Sequence, residues 1–430
     1  MARWTKWAMG AVLGAAAAGV ATAAWMLYVP EWTAPKPIIL VVIDTLRADH
    51  LALYGYDRPT STELERWAEG AVVFDRAYAH APWTKPSIAT MITSLQPRDH
   101  GVLDWDQMLD ERHVTLPQHL KEIGFRTEAY VSHLALDPKH NNFHQGYDVF
   151  DTSAYRGRGS PHHIHSAKQI TDRSIEALQR LRYHNEPFFL FIHYFDPHDT
   201  YLNHPRFPYG DTELDKYDSE ISWTDLQLGR LLDEVERLGF DEHAVVAITA
   251  DHGEEFQDHG SRLHAFQMYE EVLHVPLLVK APGLPPARID KRVGLIDLGP
   301  TLLDLAGQPT PDTFKGTAIE RLEDGSFAVQ ARPIFAETDR FLRRRAIIDG
   351  RYKLIQDISK SNWELYDLQE DPKEQQNLAT KRPQLMARLR RKLLDHHSTP
   401  RVELPEQELD DETIELLEAL GYMEPPDGAM

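Results

Sequence analysis

Apolar and polar positions follow two rhythms along this chain. Pro37-Ile38-Ile39-Leu40-Val41-Val42-Ile43 is an unbroken apolar run that ends at Asp44. A second run, Phe188 to Phe195, ends at Asp196, and a third, Ala244-Val245-Val246-Ala247-Ile248-Thr249, leads into Ala250-Asp251-His252. Short apolar runs bounded by polar residues read as central parallel strands covered on both faces. Between them, apolar residues at helical spacing predict amphipathic helices at Ser174 to Tyr183 and Ile221 to Leu238. Strands alternating with helices imply an α/β fold with a doubly wound, mostly parallel sheet flanked by helices. In such sheets ligands bind beyond the carboxyl ends of the strands. Asp44, Asp196, Asp251 and His252 all occupy that position.

The pattern changes after about residue 311. Arg344 to Leu354 and Ser361 to Leu368 predict short strands, and Pro383 to Leu394 predicts a basic amphipathic helix. Residues 311–400 therefore read as a smaller α+β subdomain behind a main unit of residues 37–310. Residues 401–430 form an acidic tail with a predicted helix at Asp411 to Leu420. At the other end, Arg3 and Lys6 precede an uncharged stretch from Ala8 to Val29, close to the roughly 20 residues that cross a bilayer as a helix. Residues 1–36 then read as a membrane anchor and linker, and the basic flank leaves the rest of the chain outside the cytoplasm, periplasmic or extracellular. Ala21-Thr22-Ala23 would instead suit cleavage of a signal peptide.

Composition narrows the function classes. With 430 residues, 42% of them apolar, the chain can bury a large core without disulfides. A net charge of −21, from 46 basic and 67 acidic residues, opposes a nucleic-acid partner, which needs a basic surface to release counterions. There is no cysteine. That says nothing about compartment, but it restricts the chemistry considered below.

Thr84 lies just before Pro86, a residue suited to the first turn of a helix. A hydroxyl there faces free backbone N–H groups and the positive end of the helix dipole, where an anionic ester would settle. Read singly, each feature has an ordinary explanation. Thr is a common helix cap, Asp251-His252-Gly253 is an unremarkable polar loop, and His193 and His198 are surface histidines. Their joint occurrence changes the reading.

Ile43-Asp44-Thr45-Leu46-Arg47-Ala48-Asp49-His50 resembles the opening strand and turn of the sulfatase family, within the alkaline-phosphatase-like superfamily. Pro82-Trp83-Thr84-Lys85-Pro86-Ser87 and Ser94-Leu95-Gln96-Pro97-Arg98-Asp99-His100-Gly101-Val102 resemble its nucleophile helix and the following turn. Phe195-Asp196-Pro197-His198, Thr249-Ala250-Asp251-His252-Gly253-Glu254 and Asp258-His259-Gly260 follow in the family's order, as do Tyr269-Glu270-Glu271 with His274-Val275-Pro276-Leu277 and the late element Glu364-Leu365-Tyr366-Asp367-Leu368. The resemblance implies one divalent metal ion (Ca²⁺, Mg²⁺, Mn²⁺ or Zn²⁺) held by Asp44, Asp251 and His252, with the Thr84 oxygen beside it. Two carboxylates and an imidazole suit such a cation. It further implies Thr84 as nucleophile. His198 and His264 would hold the ester oxygens or protonate the leaving group, with His193 among the substrate contacts and Lys85 adding positive charge. His259 is a lesser candidate.

The departures matter as much as the matches. The family carries Cys, sometimes Ser, at the position of Thr84 and oxidises it to formylglycine; Thr, with a methyl on its β-carbon, cannot become that aldehyde. The family's Arg four residues further on is Ile88, the second of its paired Asp residues is Thr45, and its Lys-Trp-His element is replaced by Ser132-His133-Leu134. A direct Thr nucleophile is what phosphoethanolamine and phosphoglycerol transferases related to the family use. A phosphate ester therefore stands beside a sulfate ester as expected substrate. Hydrolysis is the leading expectation, transfer to lipid or envelope glycan the alternative, and a degenerate sulfatase fold serving as a binding module the third.

Overall fold

A computed structural model describes residues 34–154, 166–321, 327–329 and 331–419. The anchor expected at 8–29 lies outside the described residues, as does the end of the acidic tail. Among the described residues no helix is long and apolar enough to cross a membrane.

The first apolar run forms β1 (Ile38–Ile43), with all six residues buried. Around it, β2 (Val72–Tyr78), β3 (Arg126–Val131), β4 (Val149–Asp151), β5 (Phe188–Tyr194), β6 (Val245–Ala250), β9 (His274–Lys280) and β10 (Ala287–Gly294) complete an eight-stranded sheet in the order β10-β2-β9-β6-β1-β5-β3-β4. The short pair β7 (Glu255–Phe256) and β8 (Arg262–Leu263) forms a separate hairpin. All sheet pairings are parallel except those of β9, which runs antiparallel between β2 and β6. The expected sheet is therefore present, with one reversed strand. β2 carries Asp75 and Arg76 in its middle, where its register with β9 shifts. That polar break removes the unbroken apolar signature that marked β1, β5 and β6.

Register positions the site. Ile43 pairs with Tyr194 on one side and with Ala250 on the other. The three apolar runs consequently end at one level, and Asp44 and Asp251 emerge side by side.

Helices α1 (Thr62–Ala68), α2 (Thr84–Thr93), α3 (Leu116–Glu122), α4 (Ala167–His184), α5 (Glu213–Arg237) and α6 (Leu298–Leu305) flank the sheet. The helices expected at 174–183 and 221–238 correspond to α4 and α5, both longer than their periodic cores. Thr212 starts α5 through a capping box, its side chain accepting from Asp215 N while the Asp215 carboxylate accepts from Thr212 N.

Beyond β11 (Glu320–Arg321) and β12 (Phe327–Ala328), strands β13 (Ile334–Thr338), β14 (Arg344–Asp349), β15 (Tyr352–Asp357) and β16 (Asn362–Asp367) form an antiparallel sheet in chain order. The single strand expected at 344–354 is a hairpin. Asp349 pairs with Tyr352, and Gly350 takes the positive φ of 62° that this two-residue turn requires. Helix α7 (Pro383–His396) packs Leu389 and Leu393 on Ile347, Leu354 and Leu365. The chain then crosses back over the main unit to α8 (Asp411–Ala419).

Candidate active site

The turn after β1 aims Asp44. Thr45 takes φ 53°, an uncommon conformation for a β-branched residue. Tyr217 holds it there, its hydroxyl donating to Thr45 O at 2.7 Å and accepting from Arg47 N at 2.9 Å. Tyr217 belongs to α5, so a helix distant in sequence stabilises the strained turn.

Thr84 opens α2 behind an extended Trp83. Its Oγ1 lies 3.3 Å from His252 Nε2. Ser87, one turn along, donates to Asp251 O at 2.6 Å and ties this helix to the β6 loop. In that loop His252 N donates to Asp251 Oδ1, and His252 Nδ1–H donates to Gly253 O at 2.9 Å. The latter bond leaves the Nε2 lone pair facing Asp44 Oδ1 and Asp251 Oδ2, each 3.5 Å away. Gly253 is required here, because a Cβ would overlap the Glu271 carbonyl.

The resulting cluster suits a divalent cation. Asp44, Asp251, His193 and His252 are all fully buried. Neither oxygen of Asp44 has an ordinary hydrogen bond, nor has Asp251 Oδ2 or either ring nitrogen of His193. Unpaired buried carboxylates side by side are costly unless a cation lies between them. Burial, followed by the charges of Asp251 and Glu254, pushes the Asp44 carboxyl well above its usual range. Burial also acts to raise Asp251, but His252 and His193 outweigh it and leave that carboxyl below its usual value. Asp44, Asp251, His252 and the Thr84 oxygen would hold the ion.

Four histidines surround this centre. His193 Nε2 stands 3.9 Å from Oδ2 of both Asp44 and Asp251. Its place is with the ligand candidates, not with the expected substrate contacts. His198 stacks on Phe195 and donates from Nδ1 to Asp199 O at 2.7 Å. Its ring lies 4.9 Å from that of His264. His264 Nδ1 meets Glu254 Oε1 at 3.0 Å, and Tyr201 donates to the other Glu254 oxygen at 2.8 Å. Burial drives the His198 imidazolium down to about 3 and the His264 imidazolium well below its usual value, and pushes the Glu254 carboxyl up. His133, with Nε2 3.9 Å from Asp44 Oδ2, was not expected here. Its Nδ1 accepts from Ala135 N at 3.0 Å, so the neutral ring carries its proton on Nε2. The available signal was its place just beyond β3, the same strand-end rule that marked Asp44.

Three expectations change. Lys85 does not reach the cluster: its ammonium donates to the carbonyls of Trp105, Gln107 and His140 at 2.6, 2.8 and 2.9 Å. Those three bonds use all its N–H donors, so it braces loops instead of contacting an ester. Burial lowers its pKa to about 7. Asp196, expected at the ligand-binding end of its strand, caps α4 instead, its Oδ2 accepting from Ser166 N, Ser166 Oγ and Ala167 N. His259 pairs with Glu271 at 2.5 Å and stacks on Tyr269, apart from the cluster. A cavity of about 870 Å³, lined by Arg47, Tyr78, His259 and Arg292 among others, is also separate from it.

Comparison with known proteins places the chain in a family. The family model described as Sulfatase matches residues 36–308, and that described as N-sulphoglucosamine sulphohydrolase, C-terminal, matches residues 259–399. Arylsulfatase K of Bos taurus is 29% identical over 201 residues, covering 42% of this chain and 35% of its own length. The chain thus spans about a third of the length of that relative. The uncharacterized sulfatase YidJ of Escherichia coli (strain K12) is 24% identical over 416 residues, covering 79% of this chain and 82% of its own. Among solved structures, BT4656 in complex with its substrate D-glucosamine-2-N,6-O-disulfate aligns with a TM-score of 0.71 at 17% identity, covering 85% of this chain and 98% of that one. The phosphonate monoester hydrolase SpPMH from Silicibacter pomeroyi aligns with a TM-score of 0.69 at 20% identity, covering 85% and 96%. The two structural likenesses establish a shared fold. With the Sulfatase model spanning well over half of its residues, this chain belongs to the sulfatase family.

Proposed function

We propose that this protein is a metal-dependent hydrolase of sulfate or phosphate esters that uses Thr84 directly as its nucleophile. The observation that carries the reading is the convergence of Asp44, Asp251 and His252 around the Thr84 hydroxyl, with buried carboxylate oxygens that lack hydrogen bonds. A divalent cation bound there would lower the hydroxyl's pKa and offset charge on the ester oxygens.

The chain's own residues supply the remaining steps. The Thr84 hydroxyl gives up its proton to solvent, Oγ1 bonds to sulfur or phosphorus as the bond from that atom to the alcohol oxygen breaks, and the alcohol departs, leaving the group on Thr84. His133 Nε2–H donates to a non-bridging ester oxygen and partly replaces the cation lost at Ile88. The His264–Glu254 pair brings a proton to the departing oxygen, since burial keeps the Glu254 carboxyl more basic than usual. His198, its ring fixed by the Nδ1–H bond to Asp199 O, lies beside His264 and helps position the water that clears the intermediate.

The first expected substrate is a sulfated sugar, as in the BT4656 complex and as named for the N-acetylglucosamine-6-O-sulfatase of Bacteroides thetaiotaomicron, 22% identical over 468 residues. A phosphorus ester is the second, favoured by Thr at position 84 and by the phosphonate monoester hydrolase neighbour. Transfer to an acceptor alcohol follows from the same covalent intermediate when water is excluded. We place the activity outside the cytoplasm, on the basic flank and apolar stretch of residues 3–29. A panel of 4-nitrophenyl sulfate, 4-nitrophenyl phosphate, bis(4-nitrophenyl) phosphate and a phenylphosphonate monoester, each with Ca²⁺, Mg²⁺, Mn²⁺ or Zn²⁺, tests the proposal. Turnover that requires metal supports it; no turnover of any ester with any ion rejects it.

A further inference from the structure

The catalytic cluster is closed. Asp44, Thr84, His133, His193, His198, Asp251, His252 and His264 are each no more than 4% exposed. An ester cannot reach Thr84 unless a covering element moves.

The C-terminal segment packs beside this cluster. Leu417, on α8, is fully buried in a small apolar cluster with Trp83, Trp105, Leu134, Ala135 and Ala265. Three of these partners adjoin site residues: Trp83 precedes Thr84, Leu134 follows His133, and Ala265 follows His264. The path from α7 to this seat has no regular structure over residues 400–410. It is fastened at few points. The Arg98 guanidinium donates to Thr399 O, Val402 N donates to Arg98 O, and Gln407 N donates to Asp106 O. Val402 and Leu404 press on Gly101, whose φ of 78° and missing Cβ make room for them. Arg401 pairs with Asp339, and an exposed pair, Lys139–Asp410 at 2.5 Å, completes the tether. Few bonds and few buried side chains mark a segment that opens far more readily than the sheet it covers.

We propose that residues 399–417 are a lid, and that the pocket vacated by Leu417 is the subsite for the ring of the substrate's alcohol. This rests on the function proposed above and adds where the alcohol goes. The pocket walls are of the right kind. The Trp83 and Trp105 rings lie 5.8 Å apart, and the Arg340 guanidinium lies over both, 4.7 and 5.3 Å from their centroids. Indole faces stack on the apolar face of a sugar ring, and a guanidinium attracts an anionic group on it. Leu417 holds this place in the closed state and keeps water from the indoles.

Because the chain has no cysteine, a full-length variant with Ala135→Cys and Leu417→Cys can form only one intramolecular disulfide. Oxidation is expected to lock the lid and lower kcat/KM on a 4-nitrophenyl ester at least 50-fold, with recovery on adding dithiothreitol. Acrylamide quenching of tryptophan emission should fall in the locked form. Leu417→Asn should do the opposite, raising quenching and raising kcat/KM on glucosamine 6-sulfate at least threefold. A locked protein keeping more than half its activity, or cysteines that fail to cross-link, overturns the lid. Unchanged turnover of the sugar ester by Leu417→Asn overturns the subsite. If the wild type hydrolyses no ester, the proposed function fails, while cross-linking and quenching still decide the lid.

Discussion

The Thr84 hydroxyl lies 3.3 Å from Nε2 of His252, two side chains brought together across 168 positions of sequence. Under the proposed mechanism this contact marks the reacting oxygen. Thr84→Ala is expected to lower kcat by at least about 10³-fold, with a thermal melt within about 2 °C of wild type because only a small side chain is removed. Thr84→Ser should keep part of the activity, since the hydroxyl remains. Turnover of the Ala variant near wild type would remove Thr84 from the mechanism.

Asp44 is kept at a cost to the fold. Its carboxylate is fully buried beside that of Asp251 and is without hydrogen bonds. In metal-free protein, Asp44→Asn should therefore raise stability by on the order of 1–3 kcal/mol while abolishing activity. In the wild type, free metal at 100 times its Kd adds about 2.7 kcal/mol, which chelation removes. Calorimetry of both proteins with and without EDTA checks this. An Asn variant that melts lower than metal-free wild type would mean the carboxylates are already compensated.

Lys85 separates a brace from a substrate contact. Its ammonium holds three carbonyls from two separate loops. Lys85→Met should cost about 2–4 kcal/mol in urea unfolding, because it leaves buried acceptors unpaired. Lys85→Arg should not rescue it, since a planar fork does not fit a cradle built for a compact ammonium. Had Lys85 contacted the ester, the Met variant would instead keep its stability and raise KM.

Acid stability follows from buried neutral histidines. His100 Nδ1 accepts from Val102 N and its Nε2–H meets Thr90 Oγ1, while burial lowers its pKa to about 3. In the unfolded chain the ring protonates near 6.5. Its contribution is thus fully present above about pH 6.5 and is lost as pH falls toward 3, at up to about 1.4 kcal/mol per unit. His80, lowered to about 4 by burial, acts with the same sign. Melts between pH 7 and 4 should show a shallower slope for His100→Gln than for wild type. An unchanged slope would mean that His100 is protonated in the folded protein.

Much of the architecture was readable in the chain. The runs at 38–43, 188–194 and 245–250 are buried on both faces, so their residues had to be continuously apolar, and that is the signal that located them. β2 and β10 carry charges along their length and gave no such signal. Asp44, Thr84, Asp251 and His252 were legible because each follows a strand or begins a helix. His133 obeys the same rule, following β3, but the segment Ser132-His133-Leu134 departs from the family's Lys-Trp-His element and so carries no motif signal. The misreadings of Lys85 and Asp196 share a cause: a place near the site along the chain does not fix where a side chain points, and Lys85 points into the loops at 105–107 and 140 while Asp196 turns back to cap α4.

The amino-acid order by itself determined the strand runs, the carboxyl-end position of the polar groups and the absence of any thiol for an aldehyde, because these depend on local pattern and residue chemistry. Tertiary structure alone decided which histidines meet the two carboxylates, what Lys85 holds and where Leu417 is seated. Those outcomes depend on strand register and on contacts between distant segments, above all the return of Leu417 to the side of Trp83, and no spacing along the chain encodes them.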